Sequence, residues 1–185
     1  MKKIIILIFF FLNIFNYSYG TIKIKIINNF KSINNISFDF KQNINDMSDN
    51  GNCIIKYPKK LYCSYNNFKK KIIVSNGKSL VIKNIVGKEY FLYPLKQTLL
   101  EFILDKELLL SKIEKLNAEL VDDKYYLFSM EKSGNKINIF FDRNSYNLIG
   151  WQTEDIYQNL VITFIYNVIK NSKIDDNLFK LPKQH

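Results

Sequence analysis

The sequence predicts an α+β domain in which an antiparallel sheet of roughly ten strands is covered on one face by three helices. Two observations predict this class. Apolar and polar residues alternate through most of the chain, which is typical of half-buried strands. The period changes to three and four residues only near the start of the chain and after Pro94, which predicts helices there. A sheet this wide tends to curl or to close.

The first 20 residues have the layout of a cleavable secretory signal peptide. A basic start is followed by an apolar run and by small residues, Ser18 and Gly20, before a cut after Gly20. An uncleaved membrane anchor is the alternative, but about a dozen apolar residues are fewer than the roughly 20 that span a bilayer. We therefore expect residues 1–20 to be removed and residues 21–185 to form one domain in the periplasm. No cysteine follows the apolar run, so we expect a soluble protein without a lipid anchor.

The charge of the chain is strongly positive, +10 at pH 7. Nearly all of this charge comes from lysine, and Arg143 is the only arginine. Arginine is the preferred residue for phosphate recognition, so we interpret the lysines as a solvated surface and expect no nucleic-acid partner. Weak attraction to an acidic partner is the alternative interpretation.

The first helix and the first strand follow the predicted cleavage site. Helical steps of three and four residues separate Ile22, Ile26, Phe30 and Ile33. Isoleucine and lysine also alternate over residues 22–26, which would suit a strand, so both interpretations stay open there. The period then becomes two, which predicts a half-buried strand through Ile36, Phe38 and Phe40.

Two hairpins are predicted after a polar, turn-rich gap at residues 45–50. Their four alternating stretches are residues 53–57, 61–65, 71–74 and 79–83. Pro58 marks the turn of the first hairpin. Asn76-Gly77 marks the turn of the second, where both central positions are expected to have positive φ.

Helices are predicted after Pro94, and strands return after them. One apolar helix face consists of Leu95, Leu99, Phe102 and Ile103. A second short helix presents Leu108, Leu109, Ile113 and Leu116. The last predicted strands cover residues 126–130, 137–141, 148–153 and 160–169. One face of the sheet is rich in Phe, Ile, Leu and Tyr, and it forms either an ordinary core or the wall of an apolar cavity.

The sequence offers no catalytic constellation. His185 is the only histidine and the last residue, and the carboxylates are scattered. A Gly-x-Ser-x-Gly elbow, a Gly-rich phosphate loop and a metal-ligand cluster are all missing from the sequence. We therefore expect a protein that is not an enzyme and that holds no metal and no cofactor.

Six short patterns follow one another along the chain. They are Phe38-Asp39-Phe40-Lys41-Gln42, the strand pair from Gly51 to Tyr65, Val74-Ser75-Asn76-Gly77-Lys78, Thr98 to Leu104, Trp151 with Asp155, Gln158 and Thr163, and the ending from Asn171 to Pro182. In their order and spacing they resemble the LolA family of outer-membrane lipoprotein carriers. The resemblance extends over nearly the whole chain after the signal peptide.

The resemblance implies an unclosed antiparallel β half-barrel of about ten or eleven strands, with a helical lid over a hydrophobic cavity. It implies a monomeric carrier that takes triacylated lipoproteins from an inner-membrane ABC exporter and passes them to an outer-membrane acceptor, where one is present. The alternatives are a related protein that binds another lipid cargo or senses lipoproteins, and a purely structural sheet without a cavity.

Strand alternation selects the side chains that we expect to line the acyl-chain cavity. They are Phe38, Phe40, Ile55, Leu61, Tyr65, Leu80, Ile82, Leu99, Phe102, Ile103, Phe128, Ile137, Ile139, Phe141 and Trp151. Of these we expect Leu99, Phe102 and Ile103, on the lid helix, to pack into the cavity when it is empty.

Three residues depart from the family pattern. The family commonly has an arginine, tied to lid closure, before the turn proline, whereas Tyr57 stands there in this chain. Tyr57 is therefore our lid-closure candidate. Cys53 and Cys63 replace an aliphatic and an aromatic residue, and by strand parity both face the cavity side of one hairpin. They form either a disulfide or a pair of buried thiols.

Overall fold

The computed structural model describes residues 20–154 and 159–184. Residues 1–19, which hold nearly all of the predicted signal peptide, lie outside the described residues, and so do Asp155 and Gln158. Within the described residues, eleven strands form one antiparallel sheet. The strands are β1 Asn35–Ile44, β2 Met47–Lys56, β3 Lys60–Tyr65, β4 Lys71–Asn76, β5 Ser79–Asn84, β6 Glu89–Pro94, β7 Glu119–Val121, β8 Tyr125–Lys132, β9 Asn135–Asp142, β10 Leu148–Glu154 and β11 Leu160–Lys170.

The sheet is open. Its strand order is β6-β5-β4-β3-β2-β1-β11-β10-β9-β8-β7, so β1 pairs with both β2 and β11 near the middle. Among the described residues, β6 and β7 are edge strands that do not pair with each other. Alternate residues of most strands are buried on one face, which is concave and covered by helices. The predicted unclosed antiparallel half-barrel with a helical lid is confirmed.

Helices cover the concave face. Residues 20–31 form α1, Leu100–Leu104 form α2 and Lys106–Lys115 form α3. Residues 22–26 are therefore helical, and the strand alternative for them is wrong. A 3₁₀ turn at Leu95–Gln97 leads into α2. In the described part of the chain, no helix is both long and apolar enough to cross a bilayer.

Packing of α1 fixes which half of the concave face is filled. The Phe30 ring of α1 meets the Phe141 ring of β9 edge to face, with centroids 6.2 Å apart. Lys23 Nζ donates hydrogen bonds to the backbone oxygens of Glu114 and Leu116 at the end of α3, at 3.1 and 3.2 Å. Together α1 and α3 fill the half of the sheet that contains β8 and β9.

The chain after β11 crosses the convex face of the sheet. The carboxylate of Asp176 accepts hydrogen bonds from Nζ of Lys56 at 2.8 Å and from Nζ of Lys60 at 3.2 Å. Phe179, in the 3₁₀ turn Asp176–Phe179, is buried, and Lys60 Nζ lies 5.7 Å from the centroid of its ring. This segment therefore covers convex-face residues of β2 to β5, and the concave face is left to the helices.

Three details differ from the sequence prediction. The polar gap predicted at residues 45–50 is mostly strand, because Met47–Asn50 of β2 complete the backbone ladder with β1. The strands β6 and β7 were not predicted, since β6 is exposed on both faces and shows no alternation. In the Asn76-Gly77 turn only Gly77 has positive φ, and the Asn76 carboxamide accepts hydrogen bonds from the N–H groups of Lys78 and Ser79.

Candidate functional site: an apolar cavity under a short helix

A cavity of about 500 Å³ lies between α2 and the concave face of the sheet. We call residues 95–104, the 3₁₀ turn and α2, the lid. The wall is mainly apolar, with polar side chains near one end. It is lined by Phe40, Gln42, Cys53, Ile55, Leu61, Cys63, Tyr65, Ile73, Leu80, Ile82, Tyr93, Gln97, Thr98, Leu99, Leu100, Ile103, Leu104, Asn135, Trp151, Thr153, Glu154, Val161 and Thr163.

The structure brings nine of the fifteen predicted cavity residues together around this space. They are Phe40, Ile55, Leu61, Tyr65, Leu80, Ile82, Leu99, Ile103 and Trp151. Leu99 and Ile103 reach it from the lid, as the helical spacing predicts, and the others reach it from the sheet. The two cysteines also line it.

The other six predicted residues are buried in the core beside the cavity and do not line it. They are Phe38, Phe102, Phe128, Ile137, Ile139 and Phe141. The sheet residues among them have the predicted inward orientation, but α1 and α3 occupy the space in front of β8 and β9. The alternation of side chains along a strand predicts on which face of the sheet a residue lies. It does not predict which part of that face is covered by a helix.

Cys53 and Cys63 form a disulfide in the cavity wall. They are directly opposite each other in the register of β2 and β3. Both are buried, so the bond joins the two strands from the cavity side.

A small polar cluster lies in one end of the cavity. Gln42 Nε2 donates a hydrogen bond to Thr163 Oγ1 at 3.0 Å, and the Tyr65 hydroxyl donates to Gln42 Oε1 at 3.3 Å. Burial raises the pKa of Tyr65, so this hydroxyl stays protonated in the physiological range. The Lys71 ammonium lies 3.6 Å from the centroid of the Tyr65 ring and 3.4 Å from a carboxylate oxygen of Asp49. Its desolvation lowers the pKa of Lys71.

Ion pairs fasten the lid to both sides of the sheet. Glu101 of α2 is buried and pairs with Lys132 at the end of β8, and a second oxygen lies 3.8 Å from Lys59 Nζ. Lys59, in the turn between β2 and β3, also pairs with Asp105 at 3.0 Å and donates its backbone N–H to the oxygen of Leu104 at 2.8 Å. The hydrogen bond to Asp105 is the main reason that the pKa of Lys59 is raised.

The predicted lid-closure candidate, Tyr57, packs against α1 and the start of α3. Its ring packs on Phe30 of α1, with centroids 5.7 Å apart, and under the ammonium of Lys106 at the start of α3. Its hydroxyl is buried without a hydrogen-bond partner among the described residues, and burial raises its pKa. Lys59, two residues farther along the same turn, forms the ion pairs and the backbone hydrogen bond to the lid and Asp105. Sequence reasoning missed Lys59 and Glu101 because a lysine in a turn and a glutamate in a helix are common surface residues.

The arrangement is suited to holding an apolar ligand. Apolar side chains supply most of the wall, and its few polar groups are mainly hydroxyls and carboxamides. Across residues 20–154 and 159–184, no group of three or more His, Cys, Asp or Glu side chains is arranged to hold a metal ion. Such a site binds by burying apolar surface and orients its ligand through a few hydrogen bonds.

Comparison with known proteins identifies relatives. The model of the family described as "Outer membrane lipoprotein carrier protein LolA" matches residues 31–182. No sequence among the curated proteins matches the chain.

Solved structures have a similar fold. A candidate outer membrane lipoprotein-sorting protein domain from Vibrio parahaemolyticus superposes with a TM-score of 0.52 at 9% identity, covering 89% of this chain and 97% of that one. An uncharacterized conserved protein from Thermus thermophilus gives a TM-score of 0.53 at 6% identity, covering 90% and 95%. A chain of the Pseudomonas aeruginosa MucA/MucB complex gives 0.50 at 8% identity, covering 90% and 62%.

Proposed function

We propose that this chain, which belongs to the outer membrane lipoprotein carrier protein family LolA, binds the acyl chains of triacylated lipoproteins and carries them across the periplasm. In this proposal it receives a lipoprotein from an inner-membrane ABC exporter and delivers it to the outer membrane, through an acceptor where one is present. The observation that carries the proposal is the apolar cavity of about 500 Å³ beneath the lid. A purely structural sheet would fill this space with side chains.

The energetics of the cavity suit a carrier. Burial of each CH₂ group contributes about 0.8 kcal/mol, so several acyl chains sealed from water would bind too tightly to be handed over. Leu99 and Ile103 of the lid line the cavity and pack beside the sheet residues of its wall. Cargo must displace these contacts and disturb the ion pairs of Glu101, and both costs offset part of the gain from acyl burial. The bound state is then tight enough for transport and still reversible.

The periplasmic location rests on the predicted signal peptide and agrees with the disulfide. Disulfides persist in oxidising compartments such as the periplasm and are rare in the cytosol. Cys53 and Cys63 form such a bond. Recovery of a secreted chain that begins at Thr21 would test both cleavage and export, and recovery of the uncleaved chain in the membrane fraction would contradict them.

Direct binding of cargo is the first test of the proposal. A synthetic triacylated lipopeptide and the same peptide without acyl chains would be titrated into the purified protein without detergent. We expect binding of the acylated peptide only, with a change in the fluorescence of Trp151, which lines the cavity. Equal binding of both peptides, or of neither, would contradict an acyl-chain site.

Cellular depletion separates the carrier from its relatives with other cargo. If the protein is the carrier, lipoproteins of the outer membrane should accumulate in the inner membrane when it is depleted. Normal sorting under depletion, together with acyl binding in solution, would favour the alternative of a LolA-like protein that binds another lipid or senses lipoproteins.

A further inference from the structure

Several turns at one end of the sheet carry exposed apolar side chains. The β1–β2, β3–β4 and β5–β6 turns lie at this end because the first six strands form a meander. At their tips Phe68 is 87% exposed and Met47 is 71% exposed. Ile85 and Val86 are also exposed, at 52% and 40%. Single exposed apolar residues are common, but four on adjacent turn tips form a surface that favours an apolar environment.

Hydrogen bonds hold these tips in place. The backbone N–H of Val86 donates to the backbone oxygen of Lys69 at 3.1 Å, so the β3–β4 and β5–β6 turns are joined. The Asn67 carboxamide accepts from the backbone N–H of Lys71 at 3.2 Å and donates to the carboxylate of Asp49 in β2. Phe68 is therefore presented by a turn that is tied to its neighbours on both sides.

Lysines flank the tips. Phe68 is followed by Lys69, Lys70 and Lys71, and Lys88 lies two residues after Val86 in the β5–β6 turn. Asp49 pairs with Lys71, Glu89 pairs with Lys69, and Asp46 lies beside Met47 in the β1–β2 turn, so these three acids offset much of this charge and leave a small positive excess. Apolar side chains flanked by lysines are the combination that binds the headgroup region of bilayers containing anionic lipid.

The cavity extends to the same end of the sheet. Its lining includes Gln42 near the end of β1, Glu154 at the end of β10 and Val161 near the start of β11. The register pairs Ile44 with Val161, so these positions lie at the end that carries the β1–β2 turn. An apolar chain that leaves the cavity at this end emerges beside the exposed tips.

We infer that the tips carrying Met47, Phe68, Ile85 and Val86, with their flanking lysines, dock on a bilayer that contains anionic lipid. Phe68 and Ile85 enter the headgroup region, and the lysines contact lipid phosphates. Docking places this end of the cavity against the membrane, so acyl chains can exchange with little exposure to water. The role in exchange rests on the proposed function, whereas docking itself does not.

Vesicle binding tests the inference with a matched control. The full secreted protein would be incubated with phosphatidylcholine vesicles with and without phosphatidylglycerol, and binding would be measured by flotation. We expect binding to the anionic vesicles, about ten-fold weaker for Phe68→Ser and weaker again for Phe68→Ser with Ile85→Ser, since the insertion of each apolar side chain is lost. Ile169→Ser removes a side chain that is 59% exposed at the opposite end of β11, and it should bind as the unchanged protein does.

A charge variant tests the electrostatic part. Lys70 has positive φ, which asparagine tolerates, so Lys70→Asn removes the charge without straining the turn. We expect it to weaken binding to anionic vesicles about five-fold and to leave binding to phosphatidylcholine alone unchanged. Unchanged binding of the Phe68 and Ile85 variants, or an equal loss in Ile169→Ser, would overturn the inference. Thermal unfolding of each variant checks that it is folded.

The two proposals fail separately in these assays. Binding to vesicles through the tips without binding of acylated peptide in solution would contradict the carrier function and support the docking surface. Binding of acylated peptide without binding to anionic vesicles would contradict the docking surface and support the carrier function.

Discussion

Glu101 and Lys132 form an ion pair that joins the lid helix to the far side of the sheet. The second oxygen of the same carboxylate faces Lys59, in the turn between β2 and β3. One buried side chain thus connects the two sides of the half-barrel through the lid. Removal of the Glu101 carboxylate should therefore increase the opening of the lid more than it destabilises the sheet.

We expect Glu101→Gln to lower the free energy of unfolding by about 1–3 kcal/mol, because Lys132 loses its charged partner and Lys59 keeps only Asp105. Hydrogen exchange of the amides in residues 100–104 should accelerate more than that of the strands. The control is Glu89→Gln, which removes the charge of an exposed carboxylate paired with Lys69; its carboxamide oxygen can still accept the hydrogen bond from Asn84, so stability should change by less than about 0.5 kcal/mol. Equal effects of the two variants would show that Glu101 does not fasten the lid.

A pair of tyrosines gives opposite predictions. The Tyr57 hydroxyl is buried without a partner in the described residues, whereas the Tyr65 hydroxyl donates to Gln42. Tyr57→Phe should therefore stabilise the protein by about 1 kcal/mol, and Tyr65→Phe should destabilise it slightly. Urea unfolding measures both changes. Loss of stability in Tyr57→Phe would reveal a hydrogen bond to that hydroxyl, for example from a buried water.

The disulfide should be detectable by mass. The secreted protein should gain about two daltons on reduction, and no change would contradict the bond between Cys53 and Cys63. Replacement of both cysteines by alanine should cost about 2–3 kcal/mol, because the bond closes a short loop of the unfolded chain. The same replacement enlarges the cavity, so acyl binding should survive at temperatures where the variant stays folded.

Strand parity supplies a test of the cavity itself. Ile73 of β4 lines the cavity, and its neighbour Ile72 lies on the other face of the same strand. Ile73→Trp should fill part of the cavity and weaken binding of an acylated peptide by about ten-fold or more. Ile72→Trp adds the same bulk outside the cavity and should leave binding unchanged. Similar affinities for the two variants would place the acyl chains elsewhere.

Acid stability should depend on Asp142. Its Oδ1 accepts hydrogen bonds at 2.7 Å from both the backbone N–H and the hydroxyl of Ser145, and the backbone bond is the main reason that its pKa lies below the usual 3.8. Because the folded pKa is the lower one, the ionised group stabilises the fold above the unfolded pKa. That stabilisation is lost as pH falls through the folded pKa.

Asp142→Asn tests this pH dependence. Near neutral pH the variant should be less stable by about 1 kcal/mol, and the difference should shrink as the pH falls below 3.8. Urea unfolding over a series of pH values measures it. A constant difference at every pH would show that the charge of Asp142 does not stabilise the turn.

The sequence predicted the parts of the fold that alternation and turn chemistry determine. The hairpin around Asn76-Gly77 was predicted because glycine takes positive φ without strain, and the structure confirms the hairpin. The geometry of the turn differs, because the Asn76 side chain bonds the next backbone N–H groups and Asn76 itself stays in the strand. The local sequence therefore predicted the position of the turn but not its backbone conformation.

The extent of the cavity could not be predicted from alternation. Phe40 and Phe128 show the same inward pattern in the sequence, but the first lines the cavity and the second packs in the core beside it. The difference arises from α1, whose Phe30 packs against the Phe141 ring that Phe128 also contacts. Which strands a helix covers depends on tertiary packing. For the same reason Lys59 could not be recognised as a lid contact.

The unpaired edges of the sheet set a mechanical property of the molecule. In a closed barrel, every strand has two neighbours, and the lumen can widen only if a backbone ladder breaks. In the described residues of this chain, β6 and β7 do not pair with each other. The half of the sheet that ends at β6 and the half that ends at β7 form two walls. These walls are joined through β1 and its neighbours in the middle of the sheet and through the side chains of the lid. The walls can therefore spread by flexing the sheet, at the cost of lid contacts and without breaking the backbone ladder of the sheet. The interior volume thus adjusts to its contents.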